Sequence, residues 1–358
     1  MREVGATRVL VVTDAGIENA GIGNRIRSLL GTGSVGYTTF TFSGEPTDTV
    51  VVEGAAAFSG CAAEALVAVG GGGAIDAAKA IAALSTGAGS IDEYMASYGL
   101  SVDFKGRRVP PLVAVSTTSG TGTEVGHAAV IVVGRAHKKT SLLSPALYPR
   151  IAIMDPELVK TLPRSQTAFC GLDALAQAIG AIVTRVRQPL ATVLALEAIR
   201  LIAAYLERVV DDGLDMEARD GMTRANILAG MAMYNADCAA DHAFGETLGP
   251  LYRVPHGAAV ALFLPAVVRY NSLAVPEAIA VIGQALGLDE PSGPRVEAYL
   301  AELNSRLNVP TLEHWGVKEE GLALLIQRTA EHPCVASNPY PLTRGEIERV
   351  YKELLAHG

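Results

Sequence analysis

The 358-residue sequence has few aromatic side chains (5%), few charges (18%) and only four cysteines. Acidic residues outnumber basic ones, 37 against 29, so the net charge is −8 and no positive excess exists to neutralise a phosphate backbone. A nucleic-acid partner is therefore not expected. Cys61, Cys170, Cys238 and Cys334 include no C-x-x-C pair, which indicates neither a disulfide framework nor a thiolate metal knuckle and fits a reducing cytoplasm. Long hydrophobic runs are scarce too: the longest, near Ala258 to Val268, contains Pro265 and falls short of the roughly 20 residues of a membrane span. No membrane partner is expected, and Met1 to Val12 lacks the apolar stretch of a secretory signal.

What is abundant is small and apolar, a globular composition and not a disordered one. At roughly 150 residues per domain the length predicts about two domains. Up to about residue 155, short β-branched runs (Arg8 to Val12, Ala65 to Val69, Leu112 to Val115, Ile151 to Met154) alternate with small-residue helical patterns. This is the rhythm of a parallel sheet covered by helices on both faces. After Asp155-Pro156 the texture becomes long apolar-periodic segments, Ser165 to Val183, Pro189 to Val210, Met216 to Cys238 and Gly257 to Tyr270, which predict a helical bundle. The expected division is 1–157, α/β, and 158–358, all-α.

Leu66 to Val69, then Gly70-Gly71-Gly72-Gly73, then Ala74 to Leu84 reads as strand, glycine turn, helix. Glycines let backbone N–H groups approach a phosphate at the positive end of the helix, so a pyrophosphate fits here although the order is not G-x-G-x-x-G. The loop Ser116 to Glu124 offers hydroxyls at the end of another strand, either to a ligand or to a helix terminus. Asp14, at the end of the first strand, is either a ribose ligand that would favour NAD over NADP or a helix N-cap. In the helical half, Asp173 and Gln177 are four apart, as are His242 and Glu246, so each pair shares a helix face, and His256 follows in Pro255-His256-Gly257. If they converge, they can hold a divalent metal.

In combination these motifs, G-G-G-x-x-x-D-x-x-K at Gly70 to Lys79, T-T-x-G-T at Thr117 to Thr121, Asp155-Pro156 and Pro255-His256-Gly257, resemble the iron-containing (group III) alcohol dehydrogenase family over nearly the whole chain. The resemblance implies a dinucleotide-binding α/β domain with a parallel sheet followed by an all-α helical-bundle domain, the dehydroquinate synthase-like architecture. It implies NAD(P)-dependent hydride transfer between a small alcohol and its aldehyde or ketone in the cleft between the domains. It assigns NAD to Asp14, Gly71, Gly72, Gly73, Ile75, Asp76, Thr117, Thr118, Thr121 and Lys139, and a divalent metal, Fe or Zn, to Asp173, Gln177, His242 and His256. His242, Glu246 and His256 are the expected catalytic residues. A homo-oligomer is also implied, and a departure at the start is expected: the family usually carries a further few tens of residues before the strand that here begins at about Arg8, so this is either a shortened form or a misassigned start.

Two positions depart from that family: Gln177 and Glu246 stand where it has histidine. An amide oxygen is a weaker ligand than imidazole for a borderline metal. Three outcomes follow: an altered metal site, a metal-independent reductase resembling the maleylacetate reductases, or a nucleotide-binding protein with a degenerate catalytic site. Without a metal, His242 or His256 must donate the proton, with Glu246 relaying it. A lyase or cyclase resembling dehydroquinate synthase is a further alternative. Arg253 is a candidate to grip an anionic group on the substrate, against the alternative of a plain surface arginine.

Overall fold

Valine and threonine crowd the segment Arg8–Asp14 (β1), and such β-branched side chains favour an extended backbone. Strands follow at Gly36–Phe42 (β2), Ala65–Gly70 (β3), Leu112–Ser116 (β4), Ala128–Val133 (β5), Lys138–Leu143 (β6) and Ile151–Ile153 (β7). A computed structural model describes residues 1–96 and 101–356. Five of the strands form a parallel sheet in the order β2-β1-β3-β4-β7.

Because successive side chains point to opposite faces, β1, β3 and β4 feed two separate cores. Leu10, Val12, Leu66, Ala68 and Ala114 pack with Ile75, Ala78 and Ile81 of the helix Gly72–Ser85. Val9, Val11, Val67, Val69, Val113 and Val115 pack with Leu30 and Leu158 on the other side. The central strands are thus covered on both faces, and β2 and β7 are exceptions. At the sheet edge β2 is mostly exposed and reads GYTTFTF, with little of the apolar continuity that marks the others. Strands β5 and β6 form an antiparallel hairpin, a departure from the purely parallel pattern expected.

The chain divides into two compact units, Met1–Thr118 with Gly122–Thr161, and Ser119–Thr121 with Leu162–Gly358. Among the described residues the second unit contains no strand. Its helices include Arg164–Val183, Pro189–Asp211, Met216–Asn235, Ala240–Tyr252, His256–Ala274 and Arg344–Ala356. The first, second and fifth of these are long and apolar enough to cross a membrane by length and composition, which corrects the expectation that no segment reaches that length. Helix packing accounts for much of this apolarity: 89% of the apolar window in Arg164–Val183 and 72% of that in His256–Ala274 are buried inside the protein. Pro189–Asp211 is different, with 33% buried.

Phe244, Phe263 and Tyr351 join three of these helices, with ring centroids 4.7 Å apart for the first pair and 5.2 Å for each contact to Tyr351. All three side chains are fully buried, and the Tyr351 hydroxyl meets Thr329 Oγ1 at 2.8 Å. Phe263→Ala is expected to lower unfolding stability by about 3–5 kcal/mol in a urea titration. A loss below about 1 kcal/mol would mean that the cluster is not close-packed.

Candidate active site

The first two glycines of the turn in the first unit, Gly70 and Gly71, leave no room for side chains. A Cβ on Gly70, whose φ is 155°, would lie 2.6 Å from Ala74 Cβ and 3.1 Å from Asp14 Oδ2. One on Gly71 would lie 2.9 Å from Thr118 Cγ2. The helix Gly72–Ser85 starts at this point, and the first N–H groups of a helix have no acceptor inside it. Thr117 Oγ1 and Thr118 Oγ1 are buried there without a hydrogen-bond partner. Buried hydroxyls are normally satisfied, so bare backbone and unpaired hydroxyls together fit the phosphates of a dinucleotide. Of its two possible roles, Asp14 visibly fills the N-cap one: Oδ1 accepts from Gly16 N at 2.8 Å and from Ile17 N at 3.1 Å, while Oδ2 faces the turn.

Asp76 and Lys79, one helical turn apart, tie the hydroxyl loop to this helix. Lys79 Nζ donates to Thr123 O and Thr123 Oγ1, both at 2.7 Å, and to Ala128 O at 2.8 Å. The Thr123 hydroxyl donates to Asp76 Oδ1 at 2.5 Å. Burial raises the Asp76 carboxyl to about 6 against the pull of Lys79, and burial lowers Lys79 to about 8. The Asp76 carboxylate, expected at the cofactor, takes part in an internal clamp with the adjacent cation and hydroxyl that its burial requires. Ile75 is likewise enclosed, its N–H bonded to Gly71 O at 3.2 Å. Lys139, on β6, is buried beside Glu45, with Nζ 3.3 Å from Oε2. Thr121 groups with the second unit, where neighbouring Gly120 packs against Cys170 so closely that a Cβ would lie 2.7 Å from Cys170 Cβ.

In the second unit three of the four expected metal ligands, Asp173, His242 and His256, converge, and Gln177 follows Asp173 by one helical turn. Helix Arg164–Val183 carries Asp173 and Gln177, helix Ala240–Tyr252 carries His242, and the next helix begins at His256. Gly257 makes this possible: a Cβ there would overlap the Phe169 carbonyl, so only glycine lets the two helices approach this closely. Asp173 Oδ1 lies 3.6 Å from His242 Nε2 and 3.7 Å from His256 Nε2, and the three donors lie within 4.8 Å of one another. His242 Nδ1 donates to Asp241 Oδ2 at 2.7 Å, which orients the ring and turns Nε2 to the cluster. Burial opposes a positive His242, but Asp241 and Asp173 outweigh it, so this is a field that favours a cation. Asp173 Oδ1, Gln177 Oε1 and His242 Nε2 are all buried without a hydrogen-bond partner. Two oxygen and two imidazole donors suit a divalent transition metal, so the residues present fit one.

One turn after His242, Glu246 Oε2 accepts from His332 Nε2 at 3.1 Å. Burial alone would lower His332; the Cys334 thiol and the Glu246 carboxylate outweigh it and bring it up to about 10. Asp241 and His332 were not picked out in the sequence reading. Asp241 adjoins a candidate ligand and could have been found as its orienting carboxylate, whereas His332 lies 86 residues from its partner and carries no local signal. Arg253 is an exposed residue that ends its helix with φ 57°.

Comparison with known proteins gives consistent matches. Residues 1–156 match the family model described as iron-containing alcohol dehydrogenase, and residues 167–355 match that of the Fe-containing alcohol dehydrogenase family, C-terminal. A choline dehydrogenase of Bacillus subtilis (strain 168) is 35% identical over 98% of this chain and 88% of its own length. An NAD-dependent methanol dehydrogenase of Bacillus methanolicus is 32% identical over 99% of this chain and 94% of its own. The crystal structure of a 1,3-propanediol oxidoreductase superposes with a TM-score of 0.91 at 32% identity, covering 99% of this chain and 93% of that one.

The Glu246–His332 pair carries a pH signature. With His332 raised from 6.5 to about 10, its contribution to stability is full below pH 6.5 and is lost as pH rises through about 10. The difference in unfolding free energy between wild type and His332→Gln should follow that course in urea titrations at a series of pH values. A difference that does not change with pH would mean that the ring is neutral.

Proposed function

The chain belongs to the iron-containing alcohol dehydrogenase family and is an NAD-dependent oxidoreductase that interconverts an alcohol and its carbonyl compound, and we propose how its residues divide that work. The nucleotide is held by the turn Gly71, Gly72 and Gly73 through Ile75, by the hydroxyls of Thr117 and Thr118, and by Asp14 Oδ2 and Lys139 at the riboses. A bound dinucleotide supplies the hydride donor or acceptor. Asp76 supports this site from behind, through Thr123 and Lys79.

Asp173, Gln177, His242 and His256 hold the divalent metal, which, when bound, supplies Lewis acidity toward the substrate oxygen. The observation that carries this reading is the clustering of Asp173, His242 and His256 donor atoms within 4.8 Å of one another, with Asp173 Oδ1, Gln177 Oε1 and His242 Nε2 buried and unpaired. It favours the metal-assisted reading over a metal-independent one. Gln177 lends an oxygen where the family has a nitrogen, which shifts preference from softer toward harder ions. Glu246 takes the proton from the substrate hydroxyl in oxidation and returns it in reduction, held in place by the His332 imidazolium. The substrate is a small alcohol or carbonyl compound. The exposed apolar side chains Val186, Leu190 and Val193 support the expectation of a homo-oligomer.

Zinc affinity, measured by calorimetry on metal-stripped protein, should rise roughly tenfold on Gln177→His, about 1.4 kcal/mol, and vanish on Asp173→Ala. Loss in the second variant with no change in the first would remove Gln177 from the ligand set. Glu246→Gln should lower kcat for alcohol oxidation by about 10²–10⁴ with KM for NAD unchanged. Retention of wild-type kcat would exclude Glu246 from proton transfer.

A further inference from the structure

Two sulfur atoms adjoin the Glu246–His332 pair. Cys238 lies in the turn before the helix Ala240–Tyr252, and Cys334 lies in the short helix Pro333–Ser337. Ser337 pins the two segments together, its hydroxyl donating to the Cys238 carbonyl at 3.3 Å and to the Cys334 carbonyl at 3.4 Å. Asn338 fixes the same segment from the other side: Oδ1 accepts from Ala240 N at 3.1 Å, and Nδ2 donates to Asn271 Oδ1 at 2.7 Å. One hydroxyl thus holds the backbone of both cysteines, and both residues are half-buried. Neither cysteine has a part in the chemistry assigned above.

The pair is chemically unequal. The Cys238 thiol and then the His332 imidazolium outweigh burial at Cys334 and bring its thiol down to about 7, while Cys238 is pushed well above the usual thiol range. One sulfur is thus ready to attack at neutral pH, and the other keeps its proton until it is needed.

We propose that Cys238 and Cys334 form a reversible dithiol–disulfide site that is oxidised by hydrogen peroxide. The Cys334 thiolate attacks one peroxide oxygen, the O–O bond breaks, and the departing hydroxide leaves as water after taking up a proton, so that Cys334 becomes a sulfenic acid. The Cys238 sulfur then attacks the Cys334 sulfur, the S–O bond breaks, and a second water leaves with the Cys238 proton. Two electrons pass from the two thiols to the peroxide, and the protein loses two hydrogens. His332 connects this site to Glu246, so the effect on turnover, unlike the disulfide itself, rests on the catalytic role assigned to Glu246.

The test uses the whole protein, treated with hydrogen peroxide and then blocked with iodoacetamide. Intact mass and peptide mapping should show the loss of two hydrogens and a link between the peptides carrying Cys238 and Cys334, reversed by dithiothreitol. Cys238→Ser should abolish the link without altering basal activity. In untreated wild type, Cys334 alkylation should be half-maximal near pH 7, and higher in Cys238→Ala, which removes the donor next to it. No link, over-oxidation of Cys334 alone, or a link through Cys61 or Cys170 overturns the proposal. A link with unchanged kcat upholds the site and counts instead against the role given to Glu246.

Discussion

Buried polar atoms need partners, and at Asp173, Gln177 and His242 the helical unit holds three that have none. Leaving such a group unsatisfied costs about 1–3 kcal/mol. The surrounding helices offset this by close apolar packing, with Leu172, Leu175, Ile179 and Val183 buried along the same helix that carries Asp173 and Gln177. An ion at the cluster converts the penalty into binding energy, so metal affinity and the stability of the unit are linked quantities. The donors are held in advance by the rest of the fold: Asp241 orients one imidazole, and Gly257 sets the helix spacing for the other.

A second theme is how the protein manages buried charge. Asp76 with Lys79, and Glu246 with His332, are ion pairs taken largely out of water. Each survives because a third group shares the load, the Thr123 hydroxyl in one case and the Cys334 thiol in the other. Such pairs contribute little net stability but fix geometry. The first holds a loop against the nucleotide turn. The second holds a carboxylate one turn after His242, with the opposite charge supplied from a distant part of the chain.

The sheet order was not written in the sequence, but its central strands were legible, because β1, β3 and β4 are buried on both faces and read as unbroken apolar runs. The edge strand β2 escaped because a largely exposed strand carries no such run, whereas β5 does read as an apolar, mostly buried run and what escaped was its antiparallel pairing with the polar-starting β6. Candidate metal ligands could be read as i, i+4 pairs on helices, a spacing that survives into the structure. The roles of Asp76 and His332 could not be read, because each depends on a partner brought from far along the chain, Thr123 and Glu246 respectively. Family resemblance supplied the motif D-x-x-K, and the structure gives it a physical meaning as a clamp on the loop around Thr123.

The contact at Gly257 sets a length. His256 reaches Asp173 only because the two helix backbones meet with no side chain between them, so the bite of the ligand set is measured by a gap narrower than a methyl group. Substitutions that touch no ligand can therefore retune the ion that is chosen, simply by thickening or thinning the packing on the far side of either helix. At the proposed metal site, ion preference is thus open to core mutations that leave every proposed ligand in place.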